Sequence, residues 1–467
     1  MTEILVKEQF GSEGDIFTYI NKSGQNEIKQ IKVRGAVSAS LRSLGQFFKD
    51  ILLPYGYPSS VSDDYTEYQI WDTAQCFCST IIGAFSTRAI LKGVGVGNQE
   101  INALSAAVTW ILKDGSGMIG RIVFAWWKGN DLDSDCKKWR FFADVINDMA
   151  MTVELVLPYF SQFSMHLLCL TSTMKSLVGI AGGATRASIT NHQAIRDNTA
   201  EVSAKDGTQE CLVNLFGSIL SIYLLNVFNE SNSDWLLMFL LMFFHLLTNY
   251  WAVKALIFKT FNKQRLALVL RSYFNLSTVL SPQKINENES VLLGFGSDVC
   301  QFCGFEILAG VSLKSAAEKF TAADFKEILN VYENQDYLLL VDLQRRTIYI
   351  VLSKGESTEK VIAAHFHAVC LAIATCLYNG IQLDIYDKRQ RNHRTPLDRL
   401  HSFMKAYQPA TNLMNIPHHY LVDFQDFVKQ EYSMFHTAMQ INGWSLGSHS
   451  LNLGQYRCDW KHCGKNN

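Results

Sequence analysis

The chain has 467 residues, with 42 Lys and Arg against 43 Asp and Glu. That balance excludes nucleic acid as a partner, because phosphate binding needs concentrated basic charge. Aromatics at 12% exclude a core-poor disordered chain, and charged residues at only 18% leave room for long apolar segments.

Residues 1–40 read as a short cytosolic lead-in. Glu3 and Glu8 fall where a signal peptide needs its apolar core, and the Arg-rich, acid-poor character of a transit peptide is missing. One β-like stretch falls at Ile16 to Ile20. Three moderately apolar segments follow, Cys76 to Leu91, Ile101 to Trp127, and Leu155 to Met174 running on to Thr185. All carry small or ionisable residues, so they do not fix a number of membrane spans. Small residues at Gly179, Gly182 and Gly183 predict close helix approach.

Two charge-free runs are clearer. Cys211 to Asn229 and Trp235 to Val253 are each 19 residues long. As helices they are roughly 28 Å long, close to the ~30 Å hydrocarbon thickness. They predict a helical hairpin through a bilayer, with Trp235, Tyr250 and Trp251 near its ends. His245 in the second run is expected to be a hydrogen-bonded interior residue. Lys254, Lys259, Lys263, Arg265, Arg271 and Lys284 follow with no acidic residue among them, which predicts a cytosolic side there. Asn262 to Asn275 is expected to be a basic amphipathic helix on the membrane surface.

After a linker at 280–290 the texture becomes α/β. Thr321 to Asp324 reads as a capping box, Tyr337 to Asp342 and Thr347 to Leu352 as a hairpin. Thr358 to Asn379 reads as a helix stopped by Gly380, and His419 to Asn442 as a last helix.

Catalytic signatures are weak. Gly115-Ser116-Gly117 through Gly120 matches GxGxxG, but no strand runs into it, and small-residue helix packing is expected instead. Gly443 to Gly447 matches GxSxG, but a helix precedes it and too little chain follows for an acid and a His. Cys300 and Cys303 form a CxxC whose partners Cys458 and Cys463 have the wrong spacing for a zinc ribbon, so free thiols and no cofactor are expected. An enzyme using Asp144 or His192 as acid or base would lack any nucleophile or metal.

The polar residues of the central region carry the candidate site. Lys137, Arg140, Asp144 and Asp148 recur on one helix face, opposite Phe142, Ile146 and Met149. A solvated face held by ion pairs would use these residues, and so would a polar pathway between helices. The candidate binding set is Lys113, Asp114, Arg140, Asp144, Asp148, Arg186, His192 and Lys205. Within it, Arg186, His192 and Lys205 are expected to line an anion cavity, with Asp144 and Asp148 holding Arg140 in place. An Arg fork binds phosphate in a way that Lys cannot reproduce.

Several blocks resemble the root UV-B sensitive family, which has plant and animal members. They are Pro54 to Val61 (PYGYPSSV), Tyr65 to Asp72, Gly93 to Gly97, Lys113 to Gly120, Lys138 to Asp144 with Asn147 and Asp148, and Gly182 to Ala187, Thr190 to His192, Asn198, Ala204 with Lys205, and Gln209 with Glu210. The likeness covers about residues 50–215 and is nearest in character to the animal members. It implies a membrane-associated protein. In plants the family is tied to UV-B responses, vitamin B6 homeostasis and seedling development, with no enzyme activity to carry over. The implied partners are membrane lipid, a small anionic metabolite, and another family member or a second copy.

The fold class expected is mainly α: an N-terminal multi-helix membrane region followed by a smaller soluble α/β domain. The regions are 1–40, a helical region 41–280 with spans at about 211–229 and 235–253, and 291–467. The leading function is binding or transport of a small metabolite; the second is a membrane-anchored scaffold whose C-terminal domain recruits proteins.

Overall fold

The computed structural model describes residues 2–9, 16–22, 28–32, 39–94, 103–228, 234–318, 320–355, 357–381, 383, 395–405 and 418–460. The chain divides into two compact units: residues 1–132 with 136–256, and residues 133–135 with 257–467.

The first unit opens with a three-stranded antiparallel meander, β1 (Thr2–Gln9), β2 (Ile16–Lys22) and β3 (Ile28–Lys32). Sequence reading expected one strand here. β1 and β3 are rich in Lys, Glu and Gln, which hides their pairing with the more apolar β2. Seven helices follow: α1 (Ala39–Leu52), α2 (Tyr65–Val94), α3 (Ala103–Lys128), α4 (Cys136–Val156), α5 (Ser164–Gln193), α6 (Thr199–Val227) and α7 (Asp234–Ala255). The expected segment Leu155 to Met174 is interrupted. A 3-10 stretch, Leu157–Phe163, breaks out of helical geometry at Phe160 and separates α4 from α5, which pack along each other. Pro158 fits that entry, since its fixed φ suits a first helical turn and it lacks an N–H.

The two expected helices are present as α6 and α7, but each lies chiefly along α2 rather than along the other as a hairpin would. Ile81, Ile82 and Phe85 of α2 meet Met238 and Met242 of α7 and Leu220 and Leu224 of α6. The outer faces are apolar. Leu215, Phe216, Ile219, Ile222 and Tyr223 of α6 are exposed, as are Leu236, Phe239, Leu240, Phe243 and Phe244 of α7. Two glycines of α3 do the close packing: a Cβ on Gly117 would lie 2.7 Å from Ser176 Oγ and one on Gly120 2.6 Å from Thr173, while one on Gly115 would meet open space. GxGxxG is thus a helix-packing surface against α5. The expectation for Gly182 and Gly183 fails, since a Cβ on either would meet open space.

The second unit begins at Ile257, earlier than the expected domain start at 291. It contains α8 (Lys263–Leu276), α9 (Pro282–Asn288), α10 (Val299–Cys303), β4 (Glu306–Ala309), α11 (Leu313–Ala316), α12 (Ala322–Val331), β5 (Tyr337–Asp342), β6 (Thr347–Leu352), α13 (Thr358–Tyr378), α14 (Pro396–Met404) and α15 (His418–Ile441). The hairpin β5–β6 falls where the alternation placed it. β4 adds in parallel to β6, giving the order β4-β6-β5. Thr321 caps α12 by accepting from Asp324 N at 3.2 Å, and Gly380 takes φ +65 just after α13. Gly443, at φ +82 after α15, lets Trp444 turn back onto Phe261 with ring centroids 4.3 Å apart.

The expected surface helix Asn262 to Asn275 is instead α8, a core element. Leu266, Val269, Leu270, Tyr273 and Phe274 are buried in the main hydrophobic cluster. Arg265 is buried too, donating to Glu289 Oε1 at 2.8 Å from the segment expected to be a linker. Its charge is neutralised across 24 residues, which local pattern cannot reveal.

Among the described residues, five helical segments are long and apolar enough to cross a membrane: α2, the α4–α5 segment, α6, α7 and α13. α13 differs from the others. Its apolar stretch is 83% buried, against 11–33% for the other four, so it is the core helix of the second unit.

Candidate functional site

The polar residues of the first unit converge from three helices. On α2, Tyr68, Asp72 and Gln75 share a face at spacings of four and three. On α4, Arg140, Asp144 and Asp148 do so at four and four. On α7, His245 and Asn249 are four apart. These faces meet. Arg140 Nη2 binds Asp72 Oδ1 at 2.9 Å, and the Tyr68 hydroxyl lies 3.3 Å from the same oxygen. Gln75 Nε2 donates to Asp144 Oδ2 at 3.0 Å and stands 3.0 Å from His245 Nε2. His245 Nδ1 contacts both oxygens of Asp148 at 2.9 and 3.0 Å. Asn249 Nδ2 donates to Asp144 Oδ2. The face continues along α4 through Thr152, whose hydroxyl meets Met242 Sδ at 3.5 Å, to Glu154. Glu154 accepts from Ser86 of α2 and from Lys175 of α5, the latter at 2.6 Å. From Arg140 to Glu154 this seam covers about 21 Å of helix.

The seam is internal. His245 and Asn249 are fully buried, and Asp148 and Glu154 nearly so, while Met149 on the other side of α4 is exposed. α4 therefore turns its polar face inward, opposite to a solvated amphipathic helix, with Trp139, Ala143, Ala150 and Met151 buried as well. Arg140 is held by Asp72, not by Asp144 and Asp148 as expected. Asp148 serves His245, and Asp144 accepts from two neutral amides.

A second polar cluster lies where α5 turns into α6. Arg186 donates through Nε to Asp206 Oδ2 at 2.6 Å and pairs through Nη1 with Glu210 at 2.7 Å. His192 Nε2 lies 2.8 Å from Asp64 Oδ2, and Lys205 donates to the Asp50 carbonyl. The PYGYPSSV segment wraps this turn: Val61 bridges Ala194, Asn198 donates to Ser60 O at 3.2 Å, and Arg196 to Ser59 Oγ at 2.8 Å. Arg186, His192 and Lys205 thus bind separate partners, while the Arg186 and Glu210 side chains stay 38% and 42% exposed. Lys113 and Asp114 stand apart on α3. They pair at 3.5 Å, with the Lys113 ammonium 4.3 Å from the Trp110 ring centroid and Asp114 exposed.

Sequence reading placed half the seam. It missed Tyr68, Asp72, Gln75, Glu154 and Asn249, although all but Glu154 repeat at helical spacing with another polar residue in an apolar context. That repetition is the signal that could have found them.

The two CxxC thiols differ in burial. Cys303 is buried and donates to the Phe305 carbonyl, and burial pushes its thiol up to about 12. Cys300 is exposed. Cys463 lies outside the described residues.

The fold and seam define a class: a bundle of long, outwardly apolar helices with a polar interior, joined to an α/β unit. Residues 38–277 match the family domain described as "Vitamin B6 photo-protection and homoeostasis domain", and residues 278–460 match "Root UVB sensitive protein, C-terminal". The chain belongs to the root UV-B sensitive family. It is 45% identical over 270 residues to "RUS family member 1" of Dictyostelium discoideum, covering 56% of this chain and 50% of that protein. It is 33% identical over 327 residues to "Protein root UVB sensitive 3" of Arabidopsis thaliana, covering 68% of this chain and 74% of that one. "Protein root UVB sensitive 6" of the same plant is 23% identical over 451 residues, 95% of this chain and 85% of that protein. The chain thus spans half the length of the Dictyostelium relative. These relatives establish the family and leave its animal branch untouched. No solved structure matches.

Proposed function

We propose that the chain is an integral membrane protein, without a reaction of its own, whose first unit binds or moves a small metabolite in vitamin B6 homeostasis. The observation that carries this reading is the seam. Asp72, Arg140, Asp144, Asp148, His245 and Glu154 sit inside helices whose outer faces are apolar. Ionisable groups at membrane depth are costly, and an anchor needs none. Trp235 with Tyr159 and Trp251 with Trp71 pair toward opposite ends of α7, as interfacial rings do. The description of the matched family domain supplies the link to vitamin B6. A phosphorylated vitamer would be received at Arg186, whose Glu210 partner is partly exposed and displaceable.

A second reading, a membrane-anchored scaffold with a cytosolic second unit, is favoured by the pairing of Arg186, His192 and Lys205, which makes that cluster a structural lattice. Metabolite profiling of knockout cells, with the B6 vitamers included, separates the two. Complementation by wild type should restore the vitamers. Asp144→Asn, at equal abundance, should not. Full restoration by Asp144→Asn would leave the scaffold ahead.

A further inference from the structure

Gln75 stands between two titratable groups and touches both through one atom. Its Nε2 lies 3.0 Å from Asp144 Oδ2 and 3.0 Å from His245 Nε2. An amide nitrogen has two hydrogens and no acceptor capacity. One hydrogen is given to the Asp144 carboxylate, so the other meets His245 Nε2, which must then be an unprotonated acceptor. His245 Nδ1 consequently carries the ring hydrogen and donates it to Asp148. The imidazole is neutral in this arrangement. Three carboxylates, Asp72, Asp144 and Asp148, then share one guanidinium, Arg140, leaving two negative charges in the seam. Asp72 is matched by Arg140 and Asp148 by the imidazole N–H. Asp144 has only the neutral donors of Gln75 and Asn249. The charged and titratable groups around it are Tyr68 and Asp72 from α2, Arg140 and Asp148 from α4, and His245 from α7, with Lys137 further along the same face of α4.

The opposite amide orientation is also self-consistent, in one other protonation state. With Gln75 Oε1 in place of Nε2, the oxygen needs donors on both sides. His245 must then be protonated at Nε2, and Asp144 must be a neutral carboxylic acid donating its O–H. A proton on His245 alone satisfies neither orientation, because it leaves two donors or two acceptors facing each other in a buried site, and a proton on Asp144 alone fits only the first orientation and only on Oδ1, away from the oxygen that Gln75 and Asn249 address. We propose that Asp144, Gln75 and His245 form a binding site for two protons, taken up together as the Gln75 amide inverts. Both protons come from solvent. One adds to an oxygen of Asp144 and one to Nε2 of His245, no other bond changes, and the seam passes from two negative charges to none. Asn249 continues to donate to Asp144, and the imidazolium remains on Asp148. The proposal deepens the metabolite-handling reading by naming the proton as a co-ligand of the same seam, and it rests on that reading only in taking the first unit as the working part.

The test is infrared difference spectroscopy of the full-length protein in phosphatidylcholine vesicles, titrated with acid in the absence of any metabolite. The carboxylic C=O band and the imidazolium ring bands should rise together with a Hill slope approaching two. The labelled glutamine side-chain carbonyl should shift in the same step. Asp144→Asn should remove the carboxylic band. Gln75→Leu, which fills the space and bridges nothing, should split the step into two with slopes near one. Separate titration of the two groups in wild type, or an unchanged slope in Gln75→Leu, overturns the proposal. If Gln75→Leu aggregates, the wild-type slope and the glutamine shift decide alone. Because no metabolite is present, a failure here leaves the transport reading standing, and absence of transport leaves the two-proton step measurable.

Discussion

Replacing Arg140 with Met tests whether the seam is an interior at all. The Arg140 and Asp72 side chains are 15% and 19% exposed and meet at 2.9 Å. An exposed pair would be worth ~0–1 kcal/mol, whereas removing one partner of a buried pair costs about 3–5 kcal/mol because the other charge is left uncompensated. After Arg140→Met, Asp72 retains the Tyr68 hydroxyl at 3.3 Å. After Asp72→Leu, Arg140 retains the Gly182 carbonyl at 3.5 Å. The Tyr68 hydroxyl does not neutralise Asp72, so Arg140→Met should lose ~3 kcal/mol, roughly a hundredfold in the unfolding equilibrium, and Asp72→Leu should lose less because the Asp144 charge still acts on Arg140. The double variant replaces the pair by apolar groups and should lose about 1 kcal/mol or less. Denaturant unfolding of the purified chain in one detergent, followed by tryptophan fluorescence, closes the double-mutant cycle. Single effects under 1 kcal/mol that simply add would refute the buried-seam reasoning.

Four further predictions concern integration, orientation, thiol reactivity and pH dependence. The chain should remain in the pellet after alkaline carbonate extraction, and protease outside sealed vesicles should digest a C-terminal tag; release, or protection until detergent is added, would reverse integration or orientation respectively. Cys300 should react with a thiol reagent in the native protein, while Cys303, whose thiol burial pushes up to about 12, should react only on unfolding; Cys303→Ser should cost ~1–3 kcal/mol with no change in bound metal. In the second unit, burial pushes His365 down to about 4 and His367 to about 3. Both stay neutral when folded and charge when unfolded, so stability is complete above the ordinary histidine value of 6.5 and falls as pH drops towards 4, by up to ~1.4 kcal/mol per pH unit for each. His367→Phe should shallow that slope in a pH series of thermal unfolding.

The parts legible in the sequence were those fixed by local pattern. Charge-free runs located α6 and α7, alternation located β5 and β6, and the capping residue Thr321 located α12. What depended on distant partners was not legible. Arg265 looked like part of a basic surface helix because Glu289, which neutralises it, lies in a segment with linker composition. The polar face of α4 fits a solvated helix or an interior one, and its direction is set by Asp72, Gln75, His245 and Asn249 on other helices. Arg186, His192 and Lys205 look like free cations in sequence because Asp206, Asp64 and the Asp50 carbonyl become their partners through the turn between α5 and α6.

Flux into proteoliposomes tests most directly whether the seam handles a metabolite. The full-length chain should accelerate uptake of at least one vitamin B6 vitamer, phosphorylated or free, above protein-free vesicles. Asp144→Asn, incorporated at the same density, should abolish that increment. Uptake of every vitamer no faster than in protein-free vesicles, or an Asp144→Asn protein as fast as wild type, would contradict the account.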